Sequence, residues 1–271
     1  MKERIDVMLV KQGFFDSREK AQKAIMAGLV FSKQQRIDKP GTKIDSDAEI
    51  EVKGNPLPYV GRGGLKLEKA LKVFNFTVEN KIMLDIGSST GGFTDCALQN
   101  GAKLVYALDV GYNQLAWKLR SDERVVVMER TNFRYAKPED FQAGLPDAAT
   151  MDVSFISIKK MLPVLSNILI PNGQAVTLIK PQFEAGKEEV GKKGIVRNPS
   201  THFQVISDIL DFAASLGYEI LALDFSPITG GDGNIEFLAH LEWKGASVTG
   251  RNLDDNTIQH VVEAAHAQLK K

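Results

Sequence analysis

From residue 65 onward the chain alternates short apolar runs with amphipathic helical stretches, and few folds accept that order. Apolar runs at 82–86, 104–109, 125–128, 148–153, 175–179, 219–225 and 235–243 have the length of buried strands. Between them, 65–74, 94–99, 114–120 and 201–216 read as helices; in the last, apolar residues fall at 203, 206, 209, 210 and 213. Such alternation predicts an α/β domain, a mostly parallel seven-stranded sheet with helices on both faces. Residues 257–269 read as a short exposed helix after the last strand.

The first sixty residues read as a separate module. Ile5, Leu9 and Val10 recur at helical spacing, and Gly13 follows as the stop. Asp16 with Glu19 reads as a capping box opening a second helix. Ala21, Ala24, Ile25 and Leu29 share one face of it, leaving Arg18, Lys20 and Lys23 for the other. Alternating stretches at 29–32 and 48–52 flank the turn signal Lys39-Pro40-Gly41. Gly54-Asn55-Pro56-Leu57-Pro58 is the expected linker, because two prolines and a glycine continue neither a helix nor a central strand. A small α+β domain is therefore expected at 1–58 and the α/β domain at 59–271.

The small module resembles the S4 domain, an RNA-binding fold of two helices and a few strands. The resemblance rests on Arg4-Ile5-Asp6, Leu9-Val10, Gly13, Ser17-Arg18, Ala21, Ile25, Gly28 and Asp47. It implies that the second helix faces structured RNA and that Arg4, Arg18, Lys20 and Lys23 contact phosphates. Charge alone is ambiguous here. The 34 Lys+Arg balance 34 Asp+Glu, which argues against coating nucleic acid by bulk charge. Yet residues 1–40 hold nine Lys/Arg against five Asp/Glu, an excess that is either a solvated face or an RNA-facing one.

The first strand of the larger domain runs into Asp85-Ile86-Gly87-Ser88-Ser89-Thr90-Gly91-Gly92-Phe93. Glycines at that point let the backbone approach a ligand at the sheet's binding edge. The dinucleotide pattern G-x-G-x-x-G fails, because position 89 is Ser. The next strand ends in Asp109, whose carboxylate can accept both hydroxyls of an adenosine ribose. The pair of signals favours S-adenosyl-L-methionine (AdoMet) over a nicotinamide cofactor. Asp85, Gly87, Ser89, Gly91, Gly92, Phe93 and Asp109 are the candidate cofactor residues. Asp85 reads also as a cap on the strand end or a partner of the turn's backbone amides, and Phe93 more as core than as a ligand-stacking ring. Asn132 is a further candidate for the adenine side, or a plain turn residue. Cys96 reads as a small buried apolar residue, and as the lone cysteine it forms no internal disulfide.

Four ionisable residues stand where strands end or elements begin. Lys66 follows Gly61-Arg62-Gly63-Gly64. Asp152 lies in Met151-Asp152-Val153-Ser154-Phe155-Ile156-Ser157. Lys180 lies in Ile179-Lys180-Pro181-Gln182-Phe183, and Glu236 in Gly233-Asn234-Ile235-Glu236-Phe237. Pro181 biases Lys180 toward extended backbone. His202, His240, His260 and His266 lack metal-ligand spacing, so no metal is expected.

These segments, with Gly63-Gly64-Leu65-Lys66-Leu67, Asp85 to Phe93, Glu129-Arg130-Thr131-Asn132 and Lys180 to Glu184, resemble the TlyA-type ribosomal RNA 2′-O-methyltransferases along nearly the whole chain. The family was once labelled haemolysin. The resemblance implies a Rossmann-like, FtsJ-like AdoMet-dependent methyltransferase domain behind the S4 module. It implies a catalytic tetrad of Lys66, Asp152, Lys180 and Glu236, AdoMet held along 85–93 and at Asp109, and cytidine ribose of ribosomal RNA or ribosomal subunits as acceptor. Gly61 departs from the family pattern, which has Ser there.

Lys180 is read as the central residue, a base or a hydroxyl-orienting group. Lys66 beside it would lower its ammonium pKa, while Asp152 and Glu236 hold both amines. Arg62 joins the candidates for RNA contact. Residues 186–197, with Lys187, Lys192, Lys193 and Arg197 among three glycines, are either an RNA-contacting lid or a solvated loop. A membrane-active haemolysin is the alternative. The mixed-charge N-terminus lacks a signal-peptide core, and stretches such as 162–170 are too short to span a bilayer, so a cytoplasmic protein is expected. A noncatalytic AdoMet-sensing RNA binder is a third reading, which retention of all four tetrad positions disfavours.

Overall fold

A computed structural model describes residues 2–15, 17–46, 48–53, 58–230, 233–245 and 250–269. The chain forms two compact units, Met1–Pro58 and Tyr59–Lys271.

In the first unit the order is β1 (Lys2–Arg4), α1 (Ile5–Lys11), α2 (Arg18–Met26), β2 (Val30–Ser32), β3 (Gln35–Ile37), β4 (Lys43–Asp45) and β5 (Ile50–Val52). β1 pairs with β4, and β3-β2-β5 form a three-stranded antiparallel sheet. Ile5, Leu9, Ala21, Ile25 and Val30 are fully buried in one small core. Asp16 lies outside the described residues. The N-cap of α2 is Ser17, whose hydroxyl accepts from Lys20 N. Gly13, just past α1, takes a φ of 77°, which favours glycine there.

The second unit continues with α3 (Gly64–Val73), β6 (Ile82–Ile86), α4 (Gly92–Gln99), β7 (Leu104–Leu108), α5 (Trp117–Arg120), β8 (Val125–Met128), β9 (Ala148–Met151), α6 (Leu162–Ile168), β10 (Gln174–Ile179), α7 (Pro181–Glu184), α8 (Pro199–Leu216), β11 (Tyr218–Phe225), β12 (Phe237–Trp243) and α9 (Asp255–Leu269). Seven strands form one sheet in the order β11-β12-β10-β9-β6-β7-β8. β10, β9, β6, β7 and β8 are mutually parallel, and β12 runs antiparallel to both its neighbours. Alternation along the strands covers both faces. Leu84, Ile86, Tyr106 and Leu108 enter the larger core with α6, α8 and α9, while Met83, Val105 and Ala107 enter the other with α3 and α4.

Two expectations need correction. The helix expected over 114–120 is only α5, because the amides of Asn113, Gln114 and Leu115 donate to the Glu129 carboxylate instead of entering a helix. The C-terminal helix is not an exposed one. Ile258, Val262 and Ala265 on α9 are fully buried and complete the larger core against α8 and β11. The apolar stretch at 162–170 contains α6, whose Leu162, Leu165 and Ile168 face the same core.

Candidate active site

The strand order makes the site. The chain changes direction between β6 and β9, and a ligand cleft forms at such a switch point beyond the carboxyl ends of the strands. Asp152 directly follows β9, and Lys180 directly follows β10. Because β12 is antiparallel, its first residue, Phe237, pairs with Ile179 at the end of β10. Glu236, one residue earlier, therefore arrives at the same edge from the opposite chain direction. The first turn of α3 delivers Lys66.

The four side chains form a linear ion-pair chain. Lys66 Nζ donates to Glu236 Oε2 at 2.7 Å and to Asp152 Oδ2 at 3.0 Å. Lys180 Nζ lies 2.5 Å from Asp152 Oδ1 and donates to Ser154 Oγ at 3.0 Å. All four are largely withdrawn from solvent, with Asp152 the most exposed at 16% of its side chain. Burial alone would lower the Lys66 ammonium pKa, but Asp152 and then Glu236 outweigh it, and the net shift is upward. Burial would likewise raise the Asp152 carboxyl; Lys66 and Lys180 outweigh it, and the net shift is downward.

Asp152 stands between the two amines, giving one oxygen to each. One detail differs from expectation. Glu236 holds Lys66, and its described contacts do not extend to Lys180. Ser154, the other partner of Lys180, went unnoticed because a serine in a strand-end loop carries no sequence signal of its own.

A cleft of about 300 Å³ opens beside this chain. Arg62, Lys66 and Asp152 line it, with Gly87, Ser89, Gly92 and Phe93 from the glycine turn and Ile228 to Gly230 opposite. The glycines are sterically required. A Cβ on Gly87, whose φ is 84°, would lie 2.5 Å from the Asp152 carbonyl oxygen. A Cβ on Gly61 would lie 2.6 Å from Thr90 Oγ1, so a side chain there would have to turn that hydroxyl aside. The Asp109 carboxylate accepts from Ser89 N at 2.8 Å and Gly111 N at 2.7 Å, so it shapes the turn. Phe93 does both expected things, lining the cleft while 4% exposed in the core.

Four candidate cofactor residues do not line the cleft: Asp109, which holds the turn as just described, and Asp85, Gly91 and Asn132. Asp85 is fully buried beneath the turn, accepting from Thr94 Oγ1 at 2.6 Å and Thr150 Oγ1 at 3.1 Å. Burial pushes its carboxyl up to about 6, against those two hydrogen bonds. Gly91 caps α4 in the left-handed region, where a Cβ would strike Leu119 and Leu115. Asn132 caps a short 3₁₀ turn, accepting from Arg134 N. Cys96 is buried, and that burial pushes its thiol up to about 12, so it is inert.

The basic candidates divide similarly. Arg4 and Arg18 both donate to Asp6, whose side chain is 0% exposed, as does Gln22. The Arg4 hydrogen bond, joined by those of Gln22 and Arg18, holds the Asp6 carboxyl well below its usual range against the cost of burial. Lys23 pairs with Glu19 one turn away. Arg62 donates to the Thr229 carbonyl across the mouth of the cleft at 3.0 Å. Among the described residues no group of three or more His, Cys, Asp or Glu side chains is arranged to hold a metal ion, and no helix is long and apolar enough to cross a membrane.

Residues 59–243 match the FtsJ-like methyltransferase family, and residues 3–50 match the S4 domain. Fold and site thus define a methyltransferase that carries an S4 module. A Bacillus subtilis (strain 168) protein called YqxC, described as a candidate rRNA methyltransferase, is 64% identical over 100% of this chain and 96% of its own length. The 16S/23S rRNA (cytidine-2′-O)-methyltransferase TlyA of Mycobacterium tuberculosis is 39% identical over 93% of this chain and 94% of its own. A solved structure of a candidate haemolysin from Streptococcus thermophilus superposes with a TM-score of 0.79 at 56% identity, covering 99% of this chain and 97% of that one. The chain belongs to the TlyA-type branch of the FtsJ-like methyltransferases.

Proposed function

We propose that the protein transfers a methyl group from AdoMet to the 2′-hydroxyl of a cytidine ribose in ribosomal RNA of the small subunit, the large subunit or both. The ion-pair chain Glu236–Lys66–Asp152–Lys180 beside a glycine-walled cleft carries this reading. The acceptor follows from the relatives named as rRNA (cytidine-2′-O)-methyltransferases.

The residues present fit the donor. Each Asp109 oxygen accepts one backbone amide and keeps a lone pair for a ribose hydroxyl. Gly87, Ser89, Gly92 and Phe93 would wall its remainder, while Asp85 and Gly91 act indirectly by holding the turn. When bound, AdoMet supplies an electrophilic sulfonium methyl. The protein's task is then to orient and deprotonate a weakly acidic hydroxyl for in-line attack. Lys66, paired on both sides, stays an ammonium and fixes Asp152. Lys180 sits at the end of the chain beside Ser154, holds the 2′-hydroxyl, and in its amine form takes the proton at Nζ. Asp152 stabilises the ammonium that results. Residues 1–58 supply RNA affinity through Arg4, Arg18, Lys20 and Lys23, and residues 59–271 perform the transfer in the cytoplasm.

The test is transfer of labelled methyl from AdoMet to purified unmodified ribosomal subunits, followed by mapping of the modified nucleotide. Incorporation at a cytidine 2′-oxygen is expected. No incorporation by folded, AdoMet-binding protein would overturn the proposal.

A further inference from the structure

The loop between α7 and α8 carries four exposed cations: Lys187, Lys192, Lys193 and Arg197. None makes an ion pair with another described residue, unlike Lys66, Lys118, Arg120 and Lys180 in the same unit. The setting is otherwise slightly acidic, since residues 59–271 hold 23 Lys/Arg against 25 Asp/Glu. Within 186–197 the cations outnumber Glu188 and Glu189, and Glu189 already accepts from Thr201 Oγ1.

A loop that merely keeps charge in water needs no internal scaffold, because its backbone is satisfied by solvent. This one is built. Val196 is 2% exposed, and its N–H donates to Asn234 Oδ1 at 3.1 Å. Asn234 Nδ2 donates back to the Gly194 carbonyl at 2.9 Å. His202 Nε2 donates to the Val196 carbonyl, and Gly191 and Ile195 close the turn by a backbone hydrogen bond. The loop frames a hollow of about 410 Å³ lined by Lys192, Lys193 and Arg197, and by Glu188 and Glu189.

The anchor also links the loop to the site. Asn234 is itself 3% exposed and lies two residues before Glu236. Its carbonyl accepts from Gly230 N, and Gly230 lines the cleft.

We propose that residues 186–197 form a phosphate-contact surface for the same RNA molecule that is methylated, with Asn234 as the positioning residue that ties it to the Glu236 strand and the cleft wall. This rests on the proposed function. Cations gathered around a hollow on an anchored loop suit the negative charge of an RNA backbone.

The full-length protein with K192Q, K193Q and R197Q tests it, against purified unmodified ribosomal subunits. Subunit affinity is expected to fall at least tenfold. The slope of log affinity against log salt should become shallower by about two, as three phosphate contacts are lost. AdoMet affinity should not move. A second variant, Asn234→Ala, keeps every cation but frees the loop. It should raise KM for subunits and flatten the salt slope, in protein whose melting shows it folded. Unchanged affinity and slope in the triple variant would overturn the surface, leaving a solvated loop. An unchanged KM in folded Asn234→Ala would overturn the anchor. Both results are read against wild-type turnover. If wild type methylates no subunit, the proposed function fails instead.

Discussion

Lys66 and Lys180 share one carboxylate, and their surroundings assign them different work. Lys66 sits between Asp152 and Glu236 and is held as an ammonium. Lys180 has Asp152 on one side and a neutral hydroxyl on the other. Lys180→Ala is expected to cost about 10²–10⁴ in turnover, the usual range for a lost acid–base group, while calorimetry shows AdoMet binding intact. Near-normal turnover would remove Lys180 from the chemistry. Asp85 gives a pH signature. Its folded pKa of about 6 lies above its ordinary 3.8, so its contribution to stability is full below 3.8 and is lost as pH rises through 6. Wild type should therefore lose up to about 3 kcal/mol relative to Asp85→Asn between pH 4 and pH 7 in urea unfolding. Equal pH slopes for the two proteins would contradict this. The tetrad residues were legible in sequence because ionisable groups at strand ends are conspicuous. That Glu236 meets Lys66 alone was not, because which oxygen meets which amine depends on strand order and not on spacing along the chain.

At the scale of elements, α9 and the glycine turn carry the strongest expectations. Ile258 is fully buried between α9 and the sheet. Ile258→Ala should cost about 2–5 kcal/mol in denaturant unfolding, as for other large-to-small core changes. A cost under about 0.5 kcal/mol is what a surface position would show instead. Gly87→Ala should impair both AdoMet binding and turnover, since its Cβ would push the Asp152 carbonyl at the point where turn and tetrad meet. Binding isotherms and single-turnover rates separate the two effects, and a variant normal in both would contradict the contact. Element type was readable from apolar period. What period could not supply was the burial of α9. Its stripe of Ile258, Val262 and Ala265 is short, and only its packing on α8 and β11 marks it as core. Nor could period shorten α5, whose preceding amides are claimed by Glu129.

At the scale of the molecule, zero net charge conceals an excess of nine Lys/Arg over five Asp/Glu in residues 1–40. The S4 module holds Arg4 and Arg18 on a buried aspartate, so Arg4→Ala and Arg18→Ala would disturb its core before they report on RNA. The cleaner variant is K20Q with K23Q, because neither lysine holds that aspartate. It should weaken subunit binding and flatten the salt slope by about one to two, with melting unchanged. Unaltered binding would place the RNA contact elsewhere on the module.

The sequence by itself determined the element types, the glycine turn and the identity of the charged residues at strand ends. These are local properties: hydrophobic period, turn chemistry, and the cost of an ionisable group beside apolar neighbours. Only the tertiary structure decided that Glu236 reaches Lys66. That contact spans 170 positions of chain, and it exists because one strand of seven runs antiparallel and returns its first residues to the edge where the others end.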